Sequence, residues 1–189
     1  GASGAFADKH VGSAKTVTVS GIGKTGADAG NYSITQPATT ANITARPLTI
    51  TAATDTKVYN ATQSSVGVPT LTSGLLQGSD SVTWTQSFDN KNVGSGKTLT
   101  PAGVVSDGNS GNNYSYTYTP VATGVVTAKA LTVSNVTADE KVYDAGLVAA
   151  LNLGTAAFVG VIGGDTVTID TTGASGAFAD KHVGSAKTV

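Results

Sequence analysis

A block of seventeen residues that occurs twice constrains this chain more than any other feature. GASGAFADKHVGSAKTV stands at residues 1–17 and returns unchanged at residues 173–189. An edited copy lies between them, because FDNKNVGSGKTL at 88–99 aligns with FADKHVGSAKTV at 6–17. The chain is therefore a tandem array with a period of about 85 residues. Solenoid repeats run about 20 to 50 residues, so this longer period predicts folded units in series.

Other motifs repeat in the same register. KVYNA at 57–61 recurs as KVYDA at 141–145, and GNYSITQ at 30–36 recurs as NNYSYTY at 112–118. The spacing between equivalent motifs drifts by a few residues, which indicates small insertions at turns. A unit of this size can bury enough surface for a core of its own without metals or disulfides.

The composition excludes several classes of partner. Only 12% of the residues are charged, the formal net charge is −1, and Arg46 is the single arginine. Phosphate backbones are bound by clustered cations, so no nucleic acid partner is expected. No apolar run approaches the roughly 20 residues of a membrane span, so no membrane insertion is expected. Cysteine and methionine are absent, which suits an exported chain that must not form wrong bridges during translocation.

Alternation of Thr or Ser with Val, Ile, Leu or Tyr dominates the chain and predicts an all-β fold. At most one short helical turn is expected in each unit, and the best helical candidates are SGLLQGSD at 73–80 and FVGVIGGD at 158–165. The predicted strands are TVTVS at 16–20, YSIT at 32–35, PLTIT at 47–51, SVTWT at 81–85, YSYTYT at 114–119, ALTVS at 130–134 and TVTID at 166–170.

Positions that are apolar in two repeats are predicted to form the core. The pairs are Phe6 with Phe88, Val11 with Val93, Val17 with Leu99, Tyr32 with Tyr114, Leu48 with Leu131, Ile50 with Val133, Val58 with Val142, Tyr59 with Tyr143, and Val82 with Val167. Volume is kept at these positions while identity changes, as packing tolerates. Trp84 is matched by Ile169 and is interpreted as a strand residue rather than a ligand platform.

No catalytic residue is predicted. His10 and His182 occupy the same site in equivalent repeats, where the middle repeat has Asn92. A loop role is therefore favoured over catalysis or metal binding. An internal isopeptide bond from Lys57 or Lys141 is disfavoured, because such bonds need a neighbouring carboxyl group. The only glutamate, Glu140, aligns with Thr56 in the other repeat.

The segment DGNSGNN at 107–113 raises the question of a calcium site. Asp107, Asn109 and Asn113 offer oxygen atoms at alternating positions, a spacing that calcium loops favour. Its counterpart TGADAGN at 25–31 carries one carboxylate at a different position, Asp28. A Gly/Asn turn with left-handed backbone is therefore preferred, and no cofactor is predicted.

The ordered set KVYDA, GDTV, FADKHVGSAKTVTVSG and GADAGNYSITQPATTANITARPLTI closely resembles the YDG repeat of large bacterial surface adhesins. Those are filamentous-haemagglutinin-like proteins exported by two-partner secretion. Ala61 and Ala145 stand where the family usually has Gly. The resemblance implies tandem β-grasp-like or Ig-like adhesin units; a parallel β-helix is the alternative, set aside because no rung period near 20 residues is visible.

In the family's register the chain holds one complete repeat unit at 47–128. Residues 1–46 are the C-terminal part of a unit, and residues 129–189 are the N-terminal part of the next one. The alternative boundaries are 1 to about 87 and 88 to about 172. The half-units are expected to complete each other head to tail between molecules or to be poorly ordered, because a strand from one molecule fits a vacancy in another.

The expected function is a structural stalk of an exported adhesin at the bacterial cell surface, which projects a distal binding domain for attachment and biofilm formation. The short crossings at Ala45–Pro47 and Ala128–Lys129 are expected to make the array stiff. The alternative is a module that binds carbohydrate, ice or a partner adhesin through Thr-rich faces or through Tyr114, Tyr116 and Tyr118. No enzymatic activity is expected.

Overall fold

The computed structural model describes residues 1–189 and confirms a nearly all-β chain. The only helical element is one 3-10 turn, Ala29–Asn31. The strands are β1 Ser3–Phe6, β2 Gly12–Ser20, β3 Ala38–Ile43, β4 Arg46–Thr51, β5 Thr56–Val58, β6 Thr70–Ser73, β7 Thr85–Phe88, β8 Gly94–Ala102, β9 Tyr114–Thr119, β10 Val121–Thr127, β11 Thr132–Ser134, β12 Thr137–Ala138, β13 Val148–Ala149, β14 Leu151–Asn152, β15 Ala157–Val159 and β16 Gly176–Ala177. No helix is long and apolar enough to cross a membrane.

The chain divides into two compact units. One comprises residues 1–57 and 62–127, and the other comprises residues 58–61 and 128–189. Most strand pairs are antiparallel. A parallel β-helix needs parallel pairing throughout, so the observed pairing does not match that alternative.

Residues 47–128 build two sheets. The first has the order β6-β4-β9, with β4 and β9 parallel, and the second has the order β5-β10-β8-β7. The largest side chains that are fully buried come from both sheets and one loop: Phe88, Leu48, Ile50, Leu99, Val105 and Val126. Alternation along β4 places Leu48 and Ile50 on the buried face and Thr49 and Thr51 on the other, as the pattern predicts. Along β8, Leu99 is likewise buried between two threonines that are not.

Residues 1–46 form one sheet of order β1-β2-β3. Its strands are the counterparts of β7, β8 and β10. The predicted strand YSIT at 32–35 is absent, although its counterpart in the complete repeat forms β9. The reason lies in pairing: β9 pairs with β4 alone, and residues 1–46 contain no counterpart of β4.

Residues 128–189 contain three two-stranded sheets, β11-β15, β12-β14 and β13-β16. The pairing of β11 with β15 corresponds to that of β4 with β6. The predicted strand at 166–170 is absent. The strand predicted at the equivalent residues 81–85 is wrong for most of its length. Ser81 makes only an isolated bridge to Ser106, and β7 begins at Thr85.

The helical candidates are wrong. Each segment begins at the end of a strand and contains a single turn, with the N–H of Asp80 donating to the Gln77 carbonyl and the N–H of Asp165 to the Ile162 carbonyl, both at 3.0 Å. The reason is a pair of glycines with left-handed backbone in each segment: Gly74 (φ 87°), Gly78 (φ 57°), Gly160 (φ 102°) and Gly164 (φ 92°). A right-handed helix cannot continue through such residues.

The predicted core residues are buried or half-buried in the complete repeat, with Val58 and Val93 as exceptions, and most of them are exposed in the half-units. Tyr114 is 5% exposed, whereas its counterpart Tyr32 is 70% exposed. Ile50 is 0% exposed, whereas Val133 is 51% exposed. A half-unit lacks the strands that cover these side chains, so the same pattern buries little. The predicted core residues that lie exposed are Phe6, Tyr32, Val58, Val93, Val133, Val142, Tyr143 and Val167.

Candidate functional site: the junction between repeats

The repeated block folds as a turn that its own side chains close. Asp8 Oδ1 accepts the backbone N–H of His10 at 2.8 Å and also binds the Lys15 ammonium group. The bond from Lys15, and then the N–H of His10, hold the pKa of Asp8 below its ordinary value. The same contacts recur among Asp180, His182 and Lys187 and among Asn90, Asn92 and Lys97. The turn uses only the backbone of the histidine position, which explains why Asn replaces it.

A β-bulge follows this turn. Ser13 and Ala14 lie together opposite Asn42, between the pairs Gly12 with Ile43 and Lys15 with Ala41. Ala14 has left-handed backbone with φ 49°, and its counterpart Gly96 has φ 66°. Such bulges favour glycine at the left-handed residue. The motif GSAK or GSGK therefore specifies a bend in the hairpin.

The KVY motif anchors a second turn. Lys57 Nζ donates to the carbonyls of Thr62 at 2.6 Å and Ser64 at 2.9 Å. The equivalent Lys141 donates to the Asp144 carboxylate at 2.8 Å and to the Gly146 carbonyl at 3.0 Å.

Alanine occupies a left-handed backbone position in both copies of this turn. Ala61 has φ 62° and Ala145 has φ 60°. Both are left-handed, the region where glycine is free of steric cost. Ala61 and Ala145 therefore adopt a backbone conformation that is strained for alanine.

The three calcium candidates come together in one loop. Asp107 is 3% exposed; its Oδ1 accepts the N–H groups of Asn109 at 2.7 Å and Gly111 at 2.8 Å, and its Oδ2 accepts the N–H of Asn113 at 3.0 Å. Asn109 Nδ2 donates to Asn113 Oδ1 at 2.9 Å.

The electrostatics of this loop favour an anion at Asp107. Burial alone would raise the pKa of Asp107, but the three N–H donors outweigh burial and lower it. The carboxylate oxygens that a cation would need already accept backbone N–H groups. No cluster of three or more His, Asp or Glu side chains that could hold a metal occurs in the chain.

Asn113 joins the complete repeat to the half-unit that precedes it. Its carbonyl accepts the N–H of Arg46 at 2.9 Å, and its Oδ1 accepts the N–H of Val11 at 3.0 Å. Its Nδ2 lies 3.2 Å from His10 Nδ1. Asn113 thus binds the hairpin turn of the preceding half-unit through its side chain and the first residue of β4 through its carbonyl. Sequence reasoning missed this role, although the recurrence of Asn113 as Asn31 was an available signal.

A cleft of about 300 Å³ lies beside this junction. Tyr114 Oη donates to Asp80 Oδ2 at 2.7 Å and accepts the N–H of Gln77 at 2.9 Å. Lys9 Nζ lies 3.8 Å from Asp80 Oδ1. Burial, and then the bond to Asp80, raise the pKa of Tyr114. The contacts of Tyr114 in this cleft therefore lie within the complete repeat, and the Lys9–Asp80 pair crosses the junction.

Of the tyrosines predicted as a possible ligand face, Tyr114 is buried, and Tyr116 and Tyr118 are half-buried against the core. The rings of Tyr116 and Tyr118 stack with centroids 6.0 Å apart, and Trp84 meets Tyr116 edge to face at 6.4 Å. Tyr116 Oη donates to the Gly111 carbonyl at 3.0 Å, and Tyr118 Oη donates to the Gly103 carbonyl. Their hydroxyls thus hold the loop at 103–111, while binding of a glycan by this face stays a prediction.

The chain is thus a multi-unit β-protein built from tandem repeats. Polar side chains close the turns within each repeat, and Asn113 binds the repeat before its own. The chain belongs to the YDG domain family, whose model matches it three times, at residues 1–41, 44–122 and 127–189. No curated protein and no solved structure matches the chain.

Proposed function

We propose that this chain is a spacer segment of an exported bacterial surface adhesin, in which YDG repeats hold a distal binding domain away from the cell for attachment and biofilm formation. The segment acts mechanically, outside the cell, and performs no reaction. The observation that carries the proposal is the junction at Asn113, whose side chain holds the hairpin turn of the preceding repeat through the N–H of Val11.

The distribution of side chains among repeats supports a mechanical role. The buried positions Phe88, Leu99 and Leu48 keep apolar counterparts in the half-units, whereas His10 gives way to Asn92. Asp107 is replaced by Thr25 in the first segment. A shared ligand site would need the same reactive groups in each repeat, while a spacer needs the core and the turns alone.

The contacts at the junction support stiffness. Arg46 enters β4 directly from the crossing, and its N–H is held by Asn113. A flexible tether would leave these backbone groups in water. Because Val11 is held by the same residue, the hairpin and the crossing strand are fixed at two points.

The test is X-ray scattering of chains with two, three and four copies of the 47–128 repeat, joined by their own crossings. The maximum dimension is expected to rise almost linearly with the number of repeats. Asn113→Ala in each repeat should shorten and broaden the distance distribution, whereas Asn112→Ala should not, because Asn112 bonds only within its loop through Asn109. A compact parent array, or equal effects of the two substitutions, would refute the proposal.

A further inference from the structure

The two segments that begin and end the complete repeat run side by side. In the first sheet β4 and β9 pair in parallel, from Arg46 opposite Tyr114 to Thr51 opposite Thr119. The chain enters the repeat at the start of β4 and leaves it at the end of β10, which follows β9 after Pro120. The first and last segments of the repeat are therefore direct neighbours.

Backbone bonds join the same two segments beyond β4 and β9. The N–H of Ala52 donates to the Thr119 carbonyl at 3.0 Å, and the N–H of Val125 donates to the Asp55 carbonyl at 3.0 Å. β5 then lies beside β10 in the second sheet. The contact thus continues from the first sheet into the second.

Side-chain hydroxyl groups add to this contact. Thr54 Oγ1 lies 2.9 Å from Thr123 Oγ1, and Thr127 Oγ1 donates to the Lys57 carbonyl at 3.3 Å. Residue numbers rise together across all of these contacts, which is the order that parallel strands have. The two segments therefore run parallel in both sheets.

This parallel contact, the terminal ladder, consists of residues 46–57 and residues 114–127. When the chain is pulled by its ends, tension enters the repeat at Arg46, at one end of the ladder, and leaves at Thr127, at the other end. The two segments are then pulled along their own axes in opposite directions. All bonds between them carry the load at the same time, whereas a pull on neighbouring ends would break them one after another.

Sliding of the terminal ladder would also open the core of the repeat. Leu48 and Ile50 on β4 and Tyr114 on β9 belong to one buried cluster with Val105. Val126 on β10 is 1% exposed. Movement of one segment past the other separates these side chains and brings apolar surface into water, which the hydrophobic effect opposes. The core therefore resists the same motion as the hydrogen bonds.

We propose that the terminal ladder is a mechanical clamp, which keeps the repeat folded while the chain is under tension. The inference rests on the proposed spacer role, because a stalk between a cell and an attached surface is pulled by its ends. It adds a load-bearing function to that role. Stiffness alone does not supply this function, since a rod that is straight in solution can still unfold under a weak pull.

The experiment pulls the full-length chain in two directions with optical tweezers, through cysteines that the chain otherwise lacks. Thr44→Cys/Ala128→Cys attaches the handles beyond opposite ends of the terminal ladder, and Thr44→Cys/Asn112→Cys attaches them beside the same end. All three positions are exposed. Unfolding of the repeat is identified by the chain length that it releases, at most about 280–300 Å for the first pair and about 225–245 Å for the second.

The first pair should unfold at a force at least about twofold higher than the second at one loading rate, because forced unfolding is governed by the unfolding rate. Urea midpoints followed by Trp84 fluorescence should agree between the two variants, which assigns the difference to the direction of pulling. Equal forces, the reverse order, or forces that follow the urea midpoints instead of the direction would overturn the clamp. These outcomes leave the scattering of the arrays unchanged, and a compact array would leave the forces unchanged, so the two proposals fail separately.

Discussion

Gly96 offers a direct measure of the backbone strain that the bulge imposes. It has φ 66°, and a Cβ built there meets nothing within 4 Å. Gly96→Ala therefore adds no clash and costs only the left-handed conformation, about 1–2 kcal/mol. Alanine also restricts the unfolded chain, which offsets about 0.4–1 kcal/mol. The net loss in unfolding free energy is expected to be about 1 kcal/mol.

Gly94 supplies a matched control two residues away. A Cβ there also meets nothing within 4 Å, and its backbone is not left-handed. Gly94→Ala should therefore keep or raise stability by up to about 1 kcal/mol through the unfolded state. Because the unfolded-state contribution is common to both variants, the difference between them isolates the cost of the left-handed residue, about 1–2 kcal/mol.

Urea unfolding followed by the fluorescence of Trp84 is a suitable assay. Trp84 is the only tryptophan and packs against Tyr116 inside the complete repeat, so it reports that repeat. A loss of 1 kcal/mol lowers the midpoint by about 0.3–1 M at an unchanged slope. Equal midpoints for the Gly94 and Gly96 variants would refute the argument. The reverse substitution Ala14→Gly should stabilise its own hairpin by about 1 kcal/mol.

Three further predictions concern packing, pH and the histidine. Gly124→Ala would place a Cβ 2.9 Å from the Lys97 carbonyl and 3.2 Å from Leu99 Cγ, so we expect a loss of about 1–3 kcal/mol. The double variant Gly124→Ala/Leu99→Val should lose less stability than the sum of the two single variants, because the first half-unit has the same combination, Ala41 and Val17, at the equivalent positions; strict additivity in urea titrations would contradict this. The pKa of Tyr114 is raised above its ordinary value of 10.0. The stability that this shift contributes is present below pH 10 and is lost as the pH rises towards the folded-state pKa, so urea midpoints should fall above about pH 10 and fall less steeply in Tyr114→Phe. If the urea midpoint of Tyr114→Phe fell as steeply above pH 10 as that of the parent, ionisation of Tyr114 would not be the cause of the fall. His10→Asn should change thermal stability by less than about 0.5 kcal/mol, since Asn92 closes the same turn through its backbone; a loss above about 1 kcal/mol would assign His10 a specific role.

Much of the strand pattern could be predicted because alternation encodes which face of a strand is apolar. β4, β9 and the second half of β2 lie where the alternation predicts strands. Identical or nearly identical sequence nonetheless has different structure in different repeats. YSYTYT forms β9 because β4 lies beside it, while YSIT at 32–35 lacks such a neighbour and forms no strand. A strand is a paired element, so local sequence alone cannot decide it.

The junction could not be predicted for a related reason. Asp107, Asn109 and Asn113 have a pattern of oxygen atoms that suits calcium, and sequence alone leaves a turn and a metal loop open. A pattern of side chains does not show which backbone N–H groups will donate to them in the folded chain. Three of them converge on Asp107, and those of Val11 and Arg46 converge on Asn113.

The sequence by itself determined the repeat, its period and the β class, because these depend on local residue type and on comparison between repeats. Burial, by contrast, was decided by tertiary structure. Phe88 is 1% exposed and Phe6 is 41% exposed, although they occupy the same position in the repeated block. The difference arises because the strands that cover Phe88 come from sequence far along the chain, and hydrophobic burial depends on that covering surface.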